Sequence, residues 1–453
     1  MSTIAAIATG QAAGGIGIVR ISGENALFVA DRIFKTVSGL KLNTLSGYKA
    51  AFGTVFLNEK PLDEAIATVF RAPKSYTGED VVEISCHGGL FITRQVLRAA
   101  LKNGAQPAAA GEFTKRAFLN GKLDLAKAEA VMQLISAQGE QARAASFHTL
   151  EGTLSREIGA ISADLKSVSA ALAAWVDYPD EEIEDLSDET IAASLNNAIH
   201  ALQALLARFD SGKVILNGVD TAIVGKPNVG KSTLMNVLVG TEKSIVTDIA
   251  GTTRDIVEET VTVGDVVLRL SDTAGLRDTA DAVERIGVER ARKRIENASL
   301  ILALFDNSVP LTADDEDLFA LCKGKKAIAV VNKTDLKSCW DAKILDKVFN
   351  KSVYISAKEN IGVQDLEKAI AEVLGTADFD PSAATLMNER QRACCTAALE
   401  SLFEAKTAQD SGLTRDAVNV SIDAAIESLD TLTGEKATES VVNEIFSQFC
   451  VGK

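Results

Sequence analysis

The chain has 453 residues, enough for about three domains at roughly 150 residues each. Hydrophobic residues make up 47% and charged residues 24%, an ordinary globular composition, and no run approaches the roughly 18 uninterrupted apolar residues of a membrane span. With 62 Asp and Glu against 47 Lys and Arg, the net charge is −15, which excludes a broad nucleic-acid grip driven by counterion release and leaves only local RNA contact, or contact shared with a partner.

The six cysteines form no C-x-x-C pair, and His87, His148 and His200 have no partners at zinc-ligand spacing, so a reduced, cytosolic protein without structural zinc is expected. The first residues, MSTIAAIATGQAAGGIG, lack a basic n-region, and no secretory signal is expected.

Residues 1–118 mix the β-like runs GIGIVRIS, YKAAFGTVFL, EAIATVFRA and DVVEISCHGG with the helical runs ENALFVADRIFKTV and LFITRQVLRAALKNG, an α+β texture. From 119 the pattern turns helical. Leu150, Leu154, Ile158, Ile161, Leu165, Val168, Leu172 and Trp175 recur at steps of four and three, which predicts one packing face of a helical bundle. Pro179 and the acidic run DYPDEEIEDLSDE break the pattern before a second helix, TIAASLNNAIHALQALLARF.

From 216 strands alternate with helices: GVDTAIV, STLMNVLVG, VVLRLSD, VERARKRIENA, LILALFD, KAIAVVNKTD, VYISA and DLEKAIAEVL. This rhythm predicts a mostly parallel sheet with crossover helices. VTVGDVVL predicts a hairpin around Gly264-Asp265, TADFDPSA reads as a linker, and helices return to the end. The expected architecture is an α+β N-terminal domain (1–118), a helical domain in two pieces (119–215 and 379–453), and an α/β P-loop domain (216–378) inserted between them. Insertion is tolerated because the termini of compact domains often lie close together.

GKPNVGKS (225–232) fits G-x-x-x-x-G-K-[ST] and stands between a predicted strand and a predicted helix. Gly225 and Gly230 let backbone N–H groups curl around phosphate, with Asn228 and Val229 between them. Lys231 reaches the β and γ phosphates, the Ser232 hydroxyl can ligate Mg²⁺, and Thr233 continues the helix whose positive end faces the anion. In DTAG (Asp272, Thr273, Ala274, Gly275), Asp272 is placed to act on Mg²⁺ and the Gly275 N–H to meet the γ-phosphate. In NKTD, Asp335 can accept both the ring N–H and the amine of guanine, a donor pair adenine lacks, while Asn332 and Lys333 hold the loop and cover the ring. In SAK (Ser356, Ala357, Lys358), the Ala357 N–H can meet the guanine carbonyl. Together these predict a GTP site.

Leu276 stands where Ras-like GTPases carry the water-orienting glutamine. Another polar group must orient the water: Asp278, Asp281 and Glu284 are candidates, and Arg254 and Arg277 are candidate cations. Spacing does not choose among them.

IVTDIAGTTRD (245–255), DTAGLRD, VERIGVERA, FTKRAFLNGKLDLAKAEAV and the terminal CVGK together resemble the MnmE (TrmE) family of tRNA-modifying GTPases, nearly end to end and in the same domain order. Members more often carry Ile at the position of Val451. The resemblance implies an N-terminal domain similar to the folate-binding domains of one-carbon enzymes, which also forms a homodimer. It implies a GTPase stimulated by K⁺ when two G domains meet, with Asn228, Thr247, Ile249 (through its carbonyl) and Thr252 as K⁺ ligands. Asp248, Ala250 and Gly251 lie in the same nucleotide-binding segment, Thr253 joins Ser232 on Mg²⁺, and Glu284 helps orient the attacking water.

The family works with a flavoprotein, MnmG (GidA), in a heterotetramer or larger complex that supplies FAD and NADH. Together they add an aminomethyl or carboxymethylaminomethyl group to carbon 5 of the tRNA wobble uridine. The carbon comes from a tetrahydrofolate derivative of the 5-formyl or methylene type. Arg20, Glu83 and Lys122 match the family's folate contacts. A carboxylate such as Glu83 can accept from pterin N–H groups, and Arg20 and Lys122 suit carboxylates of the folate tail. By the same resemblance Cys450 lies near that site as a nucleophile, a redox group or a positioning thiol, and Lys453, with its terminal carboxylate, is a further folate contact. The alternatives are a binding switch that docks on an RNA assembly, as Era-type proteins do, or an N-terminal domain that serves only as a dimerisation scaffold.

Overall fold

The computed structural model describes residues 2–10, 12–177, 187–241, 259–270 and 295–453. They fall into two compact units: Met1–Met132 with Ile158–Asp185 and Ser411–Lys453, and Gln133–Glu157 with Leu186–Asp410.

The first unit is built on a seven-stranded sheet of β1 (Ile4–Ile7), β2 (Ile16–Ser22), β3 (Phe34–Thr36), β4 (Lys49–Leu57), β5 (Lys60–Phe70), β6 (Val81–His87) and β7 (Gln106–Pro107), in the order β3-β4-β5-β6-β2-β1-β7. All neighbours are antiparallel except β1 and β7. Alternation assigns the faces. Val19 and Ile21 of β2 and Val82, Ile84 and Cys86 of β6 point into a core shared with helices Ala26–Ile33 and Leu90–Lys102. Arg20 and Glu83 therefore point to the other face, directly opposite one another in the β2–β6 register. The same unit holds helices from later in the chain. The Asp430 carboxylate is buried between them, accepting from Ser162 Oγ at 3.1 Å and Lys166 Nζ at 2.9 Å.

The second unit contains a six-stranded sheet: β8 (Val219–Val224), β9 (Glu259–Val263), β10 (Val266–Leu270), β11 (Leu300–Asp306), β12 (Ala327–Asn332) and β13 (Lys351–Tyr354), in the order β13-β12-β11-β8-β10-β9. Every pairing is parallel except β9–β10. β11 and β12 are buried along their whole length, as a central parallel strand covered on both faces must be. Helices Asp188–Ala207 and Glu389–Asp410 pack together in this unit. Among the described residues, no helix is long and apolar enough to cross a membrane.

Most predicted elements are present, including the hairpin, where Val263 pairs with Val266 across Gly264-Asp265. Two boundaries differ. The helix in ENALFVADRIFKTV stops at Ile33, and Phe34–Thr36 becomes a strand. Phe34 and Thr36 are buried around exposed Lys35, so strand alternation overrides a pattern that also fits a helix. The apolar stripe is also split. Leu150 closes helix Glu140–Leu150, and after a turn at Glu151-Gly152 helix Thr153–Asp177 buries Leu154 through Leu172. Trp175 stays 42% exposed, its ring stacked against Arg415 at 4.5 Å. Most of VERARKRIENA lies outside the described residues.

A Cβ at Gly53 would sit 2.2 Å from the Lys35 carbonyl and 2.8 Å from the Phe34 ring. Gly53→Ala is expected to destabilise by about 1–3 kcal/mol, as overpacking does. Gly159, exposed in helix Thr153–Asp177, has nothing within 4 Å of its Cβ position, so Gly159→Ala should stabilise by about 1 kcal/mol. Opposite shifts in thermal midpoint check both.

Candidate functional site

The nucleotide motifs sit at the carboxyl ends of β8, β12 and β13, where open parallel sheets bind ligands. β8 ends at Val224, and the loop 225–230 leads into helix Lys231–Thr241. Gly230 has φ +101°, and a Cβ there would lie 2.2 Å from Asn332 Nδ2. This glycine is required both by backbone conformation and by the approach of the base-recognition loop. Lys231 folds over the loop, donating to the carbonyls of Gly225 (2.7 Å) and Lys226 (2.6 Å). Ser232 and Thr233 are exposed in the first turn of the helix.

Asn332 is buried and bridges three motifs. Its Nδ2 donates to the Val229 carbonyl at 2.8 Å, and its Oδ1 accepts from the Ala357 N–H at 3.0 Å. The Ala357 N–H assigned to the guanine carbonyl is thus held by Asn332 in this structure. Asp335 is exposed, and its Oδ1 accepts from the buried Ser356 hydroxyl at 2.7 Å. That contact aims the carboxylate outward, ready to accept a pair of N–H groups. Lys333 adopts φ +64° and its Nζ lies 2.6 Å from Asp306 Oδ2. Lys358 is exposed and pairs with Glu359 at 3.5 Å.

Sequence reasoning missed two carboxylates that hold this site. Asp306, at the end of β11, anchors Lys333. Burial pushes its carboxyl up, but hydrogen bonds from Lys333 and Ser308 outweigh that and hold it below the usual range. Asp315 is buried. It accepts from Lys226 Nζ of the phosphate loop at 2.5 Å and closes a capping box with Thr312, whose hydroxyl also accepts from Lys226 at 3.0 Å. The capping box was readable as T-x-x-D; nothing in sequence pointed to Lys226.

Thr247, Asp248, Ile249, Ala250, Gly251, Thr252 and Thr253 lie outside the described residues, as do Asp272, Thr273, Ala274 and Gly275. So do Glu284, Arg254, Arg277, Asp278 and Asp281. Among the described residues, no three His, Cys, Asp or Glu side chains converge as a metal site. The exposed Ser232 hydroxyl still suits Mg²⁺, which takes few protein oxygens and is held largely by phosphates and water.

A second cluster lies in the first unit, on the sheet face opposite its main core, where Phe113 packs with Ile4 and Ala6 of β1. Arg20 Nε donates to Glu83 Oε1 at 2.8 Å, and its guanidinium lies against the rings of Tyr76 (5.6 Å) and Phe113 (5.4 Å). The tail closes onto this cluster. Arg20 Nη1 donates to the Gly452 carbonyl at 3.2 Å, the Gly111 N–H to the Cys450 carbonyl at 3.3 Å, and the Phe113 N–H to the Lys453 carbonyl at 3.2 Å. Val451 forms an antiparallel bridge with Ala110. Gly452 has φ +100°, and a Cβ there would stand 2.3 Å from the Ile7 carbonyl, so only glycine seats the tail this closely.

Burial, then the neighbouring Arg20, lowers the Lys453 amine below the ordinary lysine value. Burial raises the Tyr76 phenol, against Thr114 and Arg20. All six cysteines are free. Burial pushes Cys86 up to about 11 and Cys322 and Cys395 to about 12, whereas Cys450 is exposed. Arg20, Glu83, Lys453 and Cys450 are thus brought together. Lys122 is exposed, its Nζ donating to the Pro73 carbonyl at 3.0 Å.

Residues 3–122 match a family model described as the GTP-binding protein TrmE N-terminus, and residues 125–450 match the MnmE helical domain. The tRNA modification GTPase MnmE of Lactiplantibacillus plantarum is 42% identical, across 100% of this chain and 98% of that protein. This chain belongs to the MnmE family. The family's protein from Alkaliphilus metalliredigens is 40% identical, across 100% of this chain and 99% of its own length. A crystal structure of Aquifex aeolicus Era with GDP and aluminium fluoride is 30% identical over 40% of this chain and 66% of that one, with a TM-score of 0.27. Family membership agrees with the fold: a TrmE N-terminal domain, helical segments, and a mixed α/β sheet carrying a P-loop.

Asp315→Asn leaves Lys226 with a neutral partner. Charge-assisted hydrogen bonds contribute about 1.5–3 kcal/mol, so fluorescent-GDP titration should show about tenfold weaker binding. Lys351→Ala, which breaks only the exposed pair with Glu372, should leave binding unchanged.

Proposed function

We propose that this chain is a GTP hydrolase whose nucleotide cycle gates tRNA modification at carbon 5 of the wobble uridine, in the cytoplasm and together with a flavoprotein partner. The observation that carries the GTP reading is the joining of phosphate loop and base loop by Asn332, with Asp335 turned outward by Ser356. The tRNA reading rests on relatives that are tRNA modification GTPases, similar across the whole chain. In this reading residues 216–378 form the G domain, inserted between helical pieces 119–215 and 379–453, behind an N-terminal domain of 1–118 that pairs in a homodimer.

Lys231 leaves the carbonyls of Gly225 and Lys226 to reach the β and γ phosphates, while the amides of the loop receive their oxygens. Ser232, with Thr253, would hold Mg²⁺. K⁺ at Asn228, Thr247, Ile249 and Thr252 would supply the positive charge that an arginine finger supplies elsewhere. Asn228 already adopts φ +63° at the crown of the loop. Glu284 would orient the attacking water. GTP turnover by the purified protein is expected to rise strongly in KCl over NaCl at equal ionic strength. Equal rates would remove the cation site from the reading.

In the N-terminal cluster, a tetrahydrofolate derivative would supply the one-carbon unit, while FAD and NADH would belong to the partner. Glu83 would accept from the N–H groups of the pterin ring, with Tyr76 as an apolar wall, and Arg20, Lys122 and Lys453 would serve the carboxylates. Cys450 is the accessible thiol at this cluster. Gly452→Val should unseat the tail and abolish modification in the reconstituted complex, with basal GTP turnover kept. Cys450→Ser separates the roles of the thiol: near-normal modification means positioning, and loss with folate binding intact means chemistry.

A further inference from the structure

Residues 1–132 carry 15 Lys and Arg against 11 Asp and Glu, although the whole chain has a net charge of −15. The segment 1–132 is thus net positive, and three of its cations stand on one helix face. Helix Leu90–Lys102 contains no acidic residue. Thr93, Val96, Ala99 and Ala100 are its buried side. Phe91, Arg94, Arg98 and Lys102 are exposed.

At 100° per residue these four fall within roughly 80° of arc, with successive cations about 6 Å apart along the axis. Phe91 is 70% exposed. Among the described residues neither Arg94 nor Arg98 has an ion-pair partner, and the Lys102 amine meets the neutral Asn58 Oδ1 at 3.2 Å. An ordinary solvated helix face interleaves acids with bases at this spacing; this one does not.

The neighbouring helix Ala26–Ile33 extends the surface with Arg32, stacked on the exposed Phe28 ring at 4.3 Å. Its one carboxylate, Asp31, is engaged by the backbone N–H groups of Leu42 (2.6 Å) and Asn43 (3.3 Å). The face lies on the side of the sheet opposite Arg20 and Glu83, because the two helices cover the face to which Val19, Ile21, Val82 and Ile84 point.

We infer that the outer face of helix Leu90–Lys102 is an RNA-docking surface. Arg94, Arg98 and Lys102 hold consecutive phosphates of a tRNA strand, and Phe91 offers a ring to an unstacked base. The inference rests on the proposed tRNA reading. The chemistry fits a polyanion with flat apolar bases: phosphate contacts supply affinity and position, and aromatic stacking is the usual grip on single-stranded RNA. In a chain this acidic, such a local patch also orients the approach, since the remaining surface repels RNA.

The test uses the full chain and a fluorescently labelled tRNA transcript with a wobble uridine, with anisotropy titrations between 50 and 200 mM KCl. For Arg94→Ala/Arg98→Ala/Lys102→Ala the expected result is at least about tenfold weaker binding. The log–log salt slope should become shallower by about 2–3, with GTP turnover in the absence of RNA unchanged. Arg94→Lys/Arg98→Lys should keep the wild-type slope. Should the triple variant fold poorly, Arg98→Glu alone reads the same slope change.

Wild-type affinity and slope in the triple variant would overturn the surface alone. So would loss of partner binding or of dimerisation with tRNA affinity intact, which would make the face a protein interface. No tRNA binding by the wild type at 50 mM KCl would also overturn the surface; the tRNA reading itself falls only if the complex with the flavoprotein also fails to modify the transcript.

Discussion

The nucleotide end of this protein depends on one buried amide. Asn332 donates to the phosphate loop through the Val229 carbonyl and accepts from Ala357 of the last base-recognition motif. A buried amide with both ends paired is worth more than its two hydrogen bonds, because losing either partner leaves a desolvated polar group. It also explains why residue 230 has to be glycine: the Asn332 side chain occupies the space a Cβ would need. Three motifs spread over residues 225–358 are therefore joined at the ends of three parallel strands.

Two carboxylates extend the same logic. Asp306 and Asp315 bracket the segment after β11, and each holds a lysine of a different nucleotide motif, Lys333 and Lys226. The segment is thus tied to base recognition at one end and to the phosphate loop at the other. Both carboxylates are buried, so each ion pair is sustained by further hydrogen bonds, from Ser308 to Asp306 and from Thr312 to Asp315. Without those, desolvation would favour neutral groups.

The first unit uses a different device. Its sheet is closed by helices on one face, and on the other it presents an ion pair, Arg20–Glu83, set by strand register and capped by the last four residues of the chain. The tail is held mainly by backbone hydrogen bonds and one close glycine approach, so its anchoring does not depend on the side chains of Cys450 and Lys453. Sheet register and tail docking meet at Arg20, which touches both.

The order of strands and helices, the P-loop, NKTD, SAK and the pairing of distant motifs with guanine chemistry were legible in the sequence, because each depends on spacing within a few residues and on side-chain types that only one chemistry needs. Arg20 and Glu83 were matched as a pair of folate contacts only through the family resemblance; that they stand opposite one another on one sheet face follows from the β2–β6 register. What only the tertiary structure decided is which groups meet across the chain. Helix Ala26–Ile33 ends where Phe34 pairs with Val55, a long-range register that local pattern cannot contain. Asp306 and Asp315 found their lysines, and the Gly452 carbonyl found Arg20, through burial and chain closure. Local sequence determines what a segment can form; partners hundreds of residues apart are chosen by the packing that brings them together.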